Sequence, residues 1–284
     1  MSGKLYLVGT PIGNLGDLSP RAAETLAAAD FIAAEDTRVT MKLLNHLGLR
    51  KPLVSYYEHN RKKSGPEILR RILAGEDCAL VTDAGMPAIS DPGEELVALC
   101  REAGVTVAAV PGPSAVVTAL ALSGLPGQRF CFEGFLSTAK KSRREHLEAV
   151  AGEERTLVFY EAPHKLRDTL RDMFSCWGDR ELALCRELTK LHEEVIRTTL
   201  SGALAICEET PPRGEYVLVI RGARPAEPAP ASLEAGLARV AALREQGLRL
   251  KDAARQAAEE TGLGRKALYD AFLAAETEER EEGE

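Results

Sequence analysis

The chain has 284 residues, 45% apolar and 28% charged, which is enough to bury the cores of two domains plus an appendage. Its 36 basic and 43 acidic residues leave a net charge of −7, but the last nine residues, ETEEREEGE, carry six Glu and one Arg, so the body is close to neutral. That balance excludes indiscriminate nucleic-acid binding, though not a local basic patch, and the longest apolar run, AVVTALAL, is too short to span a bilayer.

The six cysteines form no C-x-x-C pair, and several sit in apolar runs such as CALV and RFCFEGF. They read as buried thiols in a reducing cytosol. The N-terminus, MSGKLYLVGTPIG, reaches turn residues too soon for a signal peptide, so a cytoplasmic location is expected.

In chain order, short apolar runs alternate with helical patterns through the first half. KLYLVGT, FIAAED, PLVSYYE, CALVTDAG and VTVAAVPG read as strands, with helices from Ser19, from Asp36, near 65–74 and from Asp91. The alternation predicts a mostly parallel sheet with crossover helices, an α/β domain over 1–120. Ser19-Pro20 and Asp91-Pro92 each set a capping side chain before a proline, Glu94 stands at capping-box spacing from Asp91, and Gly48 and Gly104 mark helix ends.

The second half has more strands per helix: RFCFEGFL, TLVFYEAP, a helix from 163 to Trp177, then ELALCREL, VIRTTL and EYVLVIRG. A second α/β domain with a mixed sheet is expected over 121–222, its last two strands being antiparallel neighbours. Residues 223–231, ARPAEPAPA, read as a linker. Three helical patterns over 232–276 follow, the last two spaced like a helix-turn-helix, with a ligand-free bundle as the equal alternative. Residues 277–284 are expected to be an acidic tail.

Ligands of an open α/β sheet sit at the carboxyl ends of its strands. The loop GTPIGNLGD (9–17) has no G-K-[ST], and Pro11 stands where a dinucleotide fingerprint needs a free amide. No His, Asp or Glu cluster has metal-ligand spacing and no G-x-S-x-G is present, so neither a metal nor serine hydrolysis is expected. Asp83 alone reads as a turn cap. Together, TDAGMPAISDPG (82–93) and VPGPSA (110–115) are two glycine- and proline-rich loops ending parallel strands, which suit main-chain contact with a small molecule.

The ordered series VGTPIGNLGDLSPRA, AEDTR, SYYEHN, VTDAGMPAISDPG, VPGPSAVVTALALSGLP, FEGFL, FYEAPHKL and RELTKLHEEV, over residues 4–222, resembles the tetrapyrrole-methylase-like superfamily of S-adenosylmethionine-dependent methyltransferases. More narrowly, it is similar to the members that methylate the ribose 2′-oxygen of a cytidine in the decoding centre of 16S rRNA. The resemblance implies two α/β domains with the cofactor folded in the cleft between them, a small C-terminal helical domain, and a homodimer. It implies that Pro11, Asp83, Gly85, Met86, Ile89, Ser114 and Ala115 approach S-adenosylmethionine from one side, and Tyr160, Glu161, Ala162, Tyr216 and Val217 from the other. D-A-G-M-P and Y-E-A-P-H depart from the tetrapyrrole members' G-D-P-like loop and Y-M pair, which moves the expected substrate away from tetrapyrroles.

If the substrate is RNA, Asp36, Arg38, Glu161, Arg186, Glu187 and Lys190 are expected to surround the target ribose, with Asp36 or Glu187 orienting the hydroxyl or taking its proton, structural ion pairs being the alternative. Arg38, Arg186 and Lys190 would hold phosphates. Arg61-Lys62-Lys63 and Lys140-Lys141-Ser142-Arg143-Arg144 are the dense basic runs and would extend the contact to 16S rRNA, as naked RNA or within the assembled small subunit. Two other readings use fewer of these features. A methylase acting on a tetrapyrrole or a protein side chain has no use for Arg143-Arg144 or the C-terminal helices, and a noncatalytic ribosome-binding factor has none for the cofactor loops.

Overall fold

A computed structural model describes residues 2–224 and the backbone of 232–281, with side chains through 275. The chain forms two compact units that meet in sequence at Ala223 and Arg224. The larger begins with β1 (Leu5–Val8), α1 (Pro20–Ala28), β2 (Phe31–Ala34), α2 (Thr37–His46), β3 (Leu53–Ser55), α3 (Arg61–Leu73), β4 (Cys78–Val81), α4 (Glu94–Glu102) and β5 (Val107–Val110).

These strands form a parallel sheet in the order β3-β2-β4-β1-β5. FIAA and CALV are apolar throughout because both faces of β2 and β4 are covered. Phe31, Ala33, Cys78 and Leu80 meet Ile68, Ile72 and Leu96 on one side, while Ile32, Ala34, Ala79 and Val81 meet Ala22, Leu26, Leu43 and Leu44 on the other. Ser19 caps α1 by accepting the Ala22 amide at 3.1 Å, and Asp36 caps α2. The expected cap at Asp91 is not formed: α4 begins only at Glu94, behind Gly93, and Asp91 turns into the cleft described below.

The next helix, α5 (Ala115–Ser123), leaves this sheet. Its Val116, Ala119 and Leu120 pack on Val158, Ala183, Cys185, Val217 and Val219 of a second sheet, so α5 shares the core of that sheet. Then come β6 (Phe130–Phe135), α6 (Lys140–Ala149), β7 (Thr156–Glu161), α7 (Pro163–Trp177), β8 (Glu181–Arg186), β9 (Glu194–Thr199), α8 (Leu200–Glu209) and β10 (Tyr216–Ile220).

The second sheet runs β6-β7-β10-β8-β9, with β6 and β7 parallel and the other pairs antiparallel. β9 and β10 are therefore not neighbours, contrary to expectation. All five residues of YVLVI are buried, which demands a central position, whereas no residue of β9 is buried, as suits an edge.

The second unit holds α9 (Leu233–Glu245), α10 (Leu250–Thr261) and α11 (Arg265–Glu281) around Val240, Leu243, Ala253, Ala254, Ala257 and Leu268. α11 continues through most of the expected tail; 282–284 and the linker residues 225–231 lie outside the described residues. Among the described residues no helix is long and apolar enough to cross a membrane, and all six cysteines are free thiols.

Candidate active site

The carboxyl ends of β1, β2, β4 and β5 face β6, β7 and the start of β10 across a cleft of about 570 Å³. From the first half Asp83, Gly85, Met86 and Ile89 line it, joined by Ser114 and Ala115 at the start of α5. From the second half come Tyr160, Glu161, Ala162, Tyr216 and Val217. Pro11 does not reach it. Pro11 faces a separate depression beside Val39 and Leu43, and its neighbour Ile12 takes the place on the cleft wall.

The reason lies in how the loops are tied. Thr10 exchanges backbone hydrogen bonds with Gly85, its amide donating at 2.9 Å and its carbonyl accepting at 3.1 Å, and its hydroxyl donates to the Thr82 carbonyl at 3.1 Å. The tight turn after β1 thus serves the 82–93 loop. Gly9 is small for the same purpose: a Cβ there would stand 2.6 Å from the Gly112 Cα and 2.8 Å from the Met86 sulfur. Among the described residues only three non-glycines have positive φ, Ala88 (67°), Glu187 (50°) and Thr189 (65°), and all lie in the loops around this cleft. Such concentration of backbone strain is characteristic of functional sites.

The charge on the first-half wall is negative. Glu35, Asp83 and Asp91 all line the cleft, and burial raises their carboxyl groups above the usual range; neighbouring carboxylates add to it, Asp91 and Asp83 at Glu35, Asp83 at Asp91, and Asp36 at Asp83, where the Asp36 amide and the Arg38 cation pull the other way. The sequence reading missed Glu35 and Asp91, one as the residue before a cap and the other as a cap. Among the described residues none of the three is in a salt bridge, and only Asp83 feels a cation, Arg38, so a positively charged ligand would relieve the wall.

The expected catalytic carboxylates are placed differently. Asp36 accepts from its own helix at the Arg38 amide and pairs with the Arg38 guanidinium at 2.6 Å, which holds its carboxyl down at about 2. Glu161 is buried and satisfied by the Thr169 hydroxyl at 2.6 Å, the Lys165 ammonium at 2.8 Å and the Ala162 amide at 2.9 Å. It anchors the β7–α7 turn, with three of its acceptor positions taken by its own neighbours. Burial would raise Glu187, but Lys190 at 2.9 Å and the Glu215 amide at 2.8 Å outweigh it and hold it below the usual range.

The expected RNA contacts also separate. Lys62, Lys63, Lys140 and Lys141 are exposed, and Arg38 is 85% exposed. Arg61 pairs with Glu58 and Glu95, Arg186 with Glu194, and Lys190 bridges Glu187 and Glu215. Arg143 cannot meet a phosphate. The run 140–144 is helical, so Arg143 turns inward, 6% exposed, and pairs with Asp172 at 2.7 Å, while Arg144 reaches the same carboxylate at 3.2 Å.

Residues 4–204 match the family of tetrapyrrole (corrin/porphyrin) methylases, and 230–276 match the RsmI C-terminal HTH domain. Among solved structures, uroporphyrin-III-C-methyltransferase from Thermus thermophilus shares the fold over 76% of this chain and 94% of its own (TM-score 0.56, 21% identity). Diphthine synthase does so over 78% and 90% (TM-score 0.59, 15% identity). The chain belongs to the tetrapyrrole methylase family and is an S-adenosylmethionine-dependent methyltransferase. Its sequence relatives are more particular: it is 50% identical to ribosomal RNA small subunit methyltransferase I of Synechocystis over 97% of this chain and 99% of that one. The protein of that name from Escherichia coli O157:H7 is 46% identical over 94% and 93%. The Thermotoga maritima protein is 50% identical over 78% of this chain and 99% of its own, so a shorter chain bears the same name.

Proposed function

We propose that this protein transfers a methyl group from S-adenosylmethionine to the ribose 2′-oxygen of a cytidine in the decoding centre of 16S rRNA, acting on the assembled small subunit in the cytoplasm as a homodimer. The observation that supports the rRNA substrate is similarity at 42–50% identity to proteins named ribosomal RNA small subunit methyltransferase I. The cytidine and the 2′-oxygen rest on the motif series from VGTPIGNLGD to RELTKLHEEV.

The cleft suits the cofactor. S-adenosylmethionine carries a sulfonium and an ammonium against one carboxylate, and burial raises Glu35, Asp83 and Asp91, so the cationic end would relieve that wall. When bound it supplies an electrophilic methyl carbon. Gly85, Met86, Ser114, Ala115, Ala162 and Val217 would hold it largely through main-chain atoms, with Ile89, Tyr160 and Tyr216 walling it from water.

Positioning of the hydroxyl in line with the methyl group supplies much of the rate, and a base adds on the order of 10²–10⁴-fold. Glu35 is the carboxylate suited to receive the 2′-hydroxyl proton. It lines both the cleft and the adjoining basin that holds Tyr56 and Arg61, and burial makes it a stronger base than Asp36 or Glu187. Those two instead fix the AEDTR turn and the turn after β8. Outside the cleft, Lys62, Lys63, Lys140 and Lys141 would meet RNA phosphates.

The test is transfer of labelled methyl from S-adenosylmethionine to small ribosomal subunits from cells lacking this protein, followed by nuclease mapping. One labelled cytidine whose 3′ linkage resists alkali is expected. Label on a base, or on another nucleotide, would refute the assignment.

A further inference from the structure

We propose that Phe135 is the stacking platform for the nucleobase of the methylated nucleotide, a specificity-determining contact that rests on the RNA-methylating function proposed above. A ribose in a helix cannot present its 2′-oxygen inside a cleft between two α/β halves unless its nucleotide leaves the stack, and an extruded base is held by apolar and aromatic side chains. Among the described residues only two large apolar side chains are both exposed and part of the cleft lining: Phe135, 58% exposed, and Ile89, 67% exposed. They stand on walls supplied by different halves.

The backbone is bent to aim Phe135 there. Along β6, Phe130 pairs with Thr156 and Phe132 with Val158, but a bulge between Phe132 and Gly134 shifts the register so that Gly134 meets Phe159 and Phe135 meets Tyr160. In an unbroken strand Phe135 would share a face with Cys131 and the core residues Leu157 and Phe159. The extra residue transfers it to the face of Val158 and Tyr160, at the cleft. Gly134 takes φ 64° with nothing within 4 Å of a would-be Cβ, so the position needs glycine for its conformation alone.

The ring is braced from within. It lies 5.4 Å from the Tyr160 ring, which itself meets Phe132 edge-on at 5.0 Å, and the Lys165 ammonium stands 5.6 Å from its centroid. Lys165 is in turn fixed by Glu161 and the Leu136 carbonyl. A rigid ring braced on its inner side with most of its surface in solvent is ready for a second flat partner at little entropic cost. This also gives the FEGFL motif a use, since Gly134 makes the turn and Phe135 is its product.

The experiment uses the full chain and small subunits lacking the modification, comparing Phe135→Ala, Phe135→Leu and Phe135→Trp in kcat/KM for the subunit and in calorimetric affinity for S-adenosylmethionine. Stacking of one base predicts a loss of roughly 5- to 150-fold in kcat/KM for the Ala and Leu variants, unchanged cofactor affinity, and recovery with Trp. A Leu variant as active as wild type overturns the proposal, since apolar bulk would then suffice. Parallel loss of cofactor affinity also overturns it, because the ring would then lie on the cofactor. If wild-type protein binds cofactor but methylates no subunit, the proposed function fails and this inference fails with it.

Discussion

Glu35, Asp83 and Asp91 are ordinary residue types whose behaviour comes from being placed together at strand ends. Burial raises all three, with help from neighbouring carboxylates that for Asp83 means Asp36, so they take up protons at a higher pH than ordinary carboxyls do. A cationic ligand binds their ionised form. Cofactor affinity is therefore expected to be full near neutral pH and to fall as the pH drops toward the normal carboxylate range, which calorimetric titration from neutral pH down to about 4 at constant ionic strength would show. The stability of the unliganded protein carries the opposite sign at these positions: a raised folded pKa favours folding while the group is protonated, and that contribution is lost as pH rises through it. Glu35→Gln keeps size and removes the base; kcat is expected to fall on the order of 10²–10⁴-fold with cofactor and subunit binding less affected. A variant turning over at the wild-type rate would move the proton acceptor elsewhere.

At the scale of elements, the floor of the site depends on two loops pressed together. Gly9 follows β1 and Gly112 follows β5, and a Cβ on Gly112 would stand 2.8 Å from both the Cα and the carbonyl carbon of Gly9. Backbone cannot step aside as a side-chain end can. Gly112→Ala is expected to cost about 1–3 kcal/mol in denaturant unfolding and to weaken cofactor binding, because Met86 and the Thr10–Gly85 bridge move with Gly9. Unchanged affinity in a folded variant would show that these loops do not set the pocket. The same logic of elements explains Arg143: helix α6 turns one member of a basic run toward Asp172 and buries it, while Lys140, Lys141 and Arg144 stay exposed.

At the scale of the whole molecule, the two units have separate cores, the smaller built on Val240, Leu243, Ala253, Ala254, Ala257 and Leu268. A unit with its own core can fold alone. A chain ending at residue 223 is expected to melt cooperatively and bind S-adenosylmethionine as the full chain does, while losing affinity for small subunits. Equal subunit affinity in a filter-binding comparison would leave α9–α11 with no role in grip. The Thermotoga relative, matched over 99% of its length but 78% of this chain, makes retention of the methylase core the reasonable expectation.

The alternating runs KLYLV, FIAA and CALV, the cap at Ser19 and the glycine- and proline-rich loops were readable along the chain because each is a local rule of period, capping or turn chemistry. So was the family, because its motifs are contiguous. The position of β10 between β7 and β8, the packing of α5 on the second sheet, the inward turn of Arg143, the exclusion of Pro11 and the meeting of Glu35 with Asp83 and Asp91 were decided only in three dimensions. Each depends on which distant segments share a dielectric, a face or a core, and no spacing along the chain encodes that.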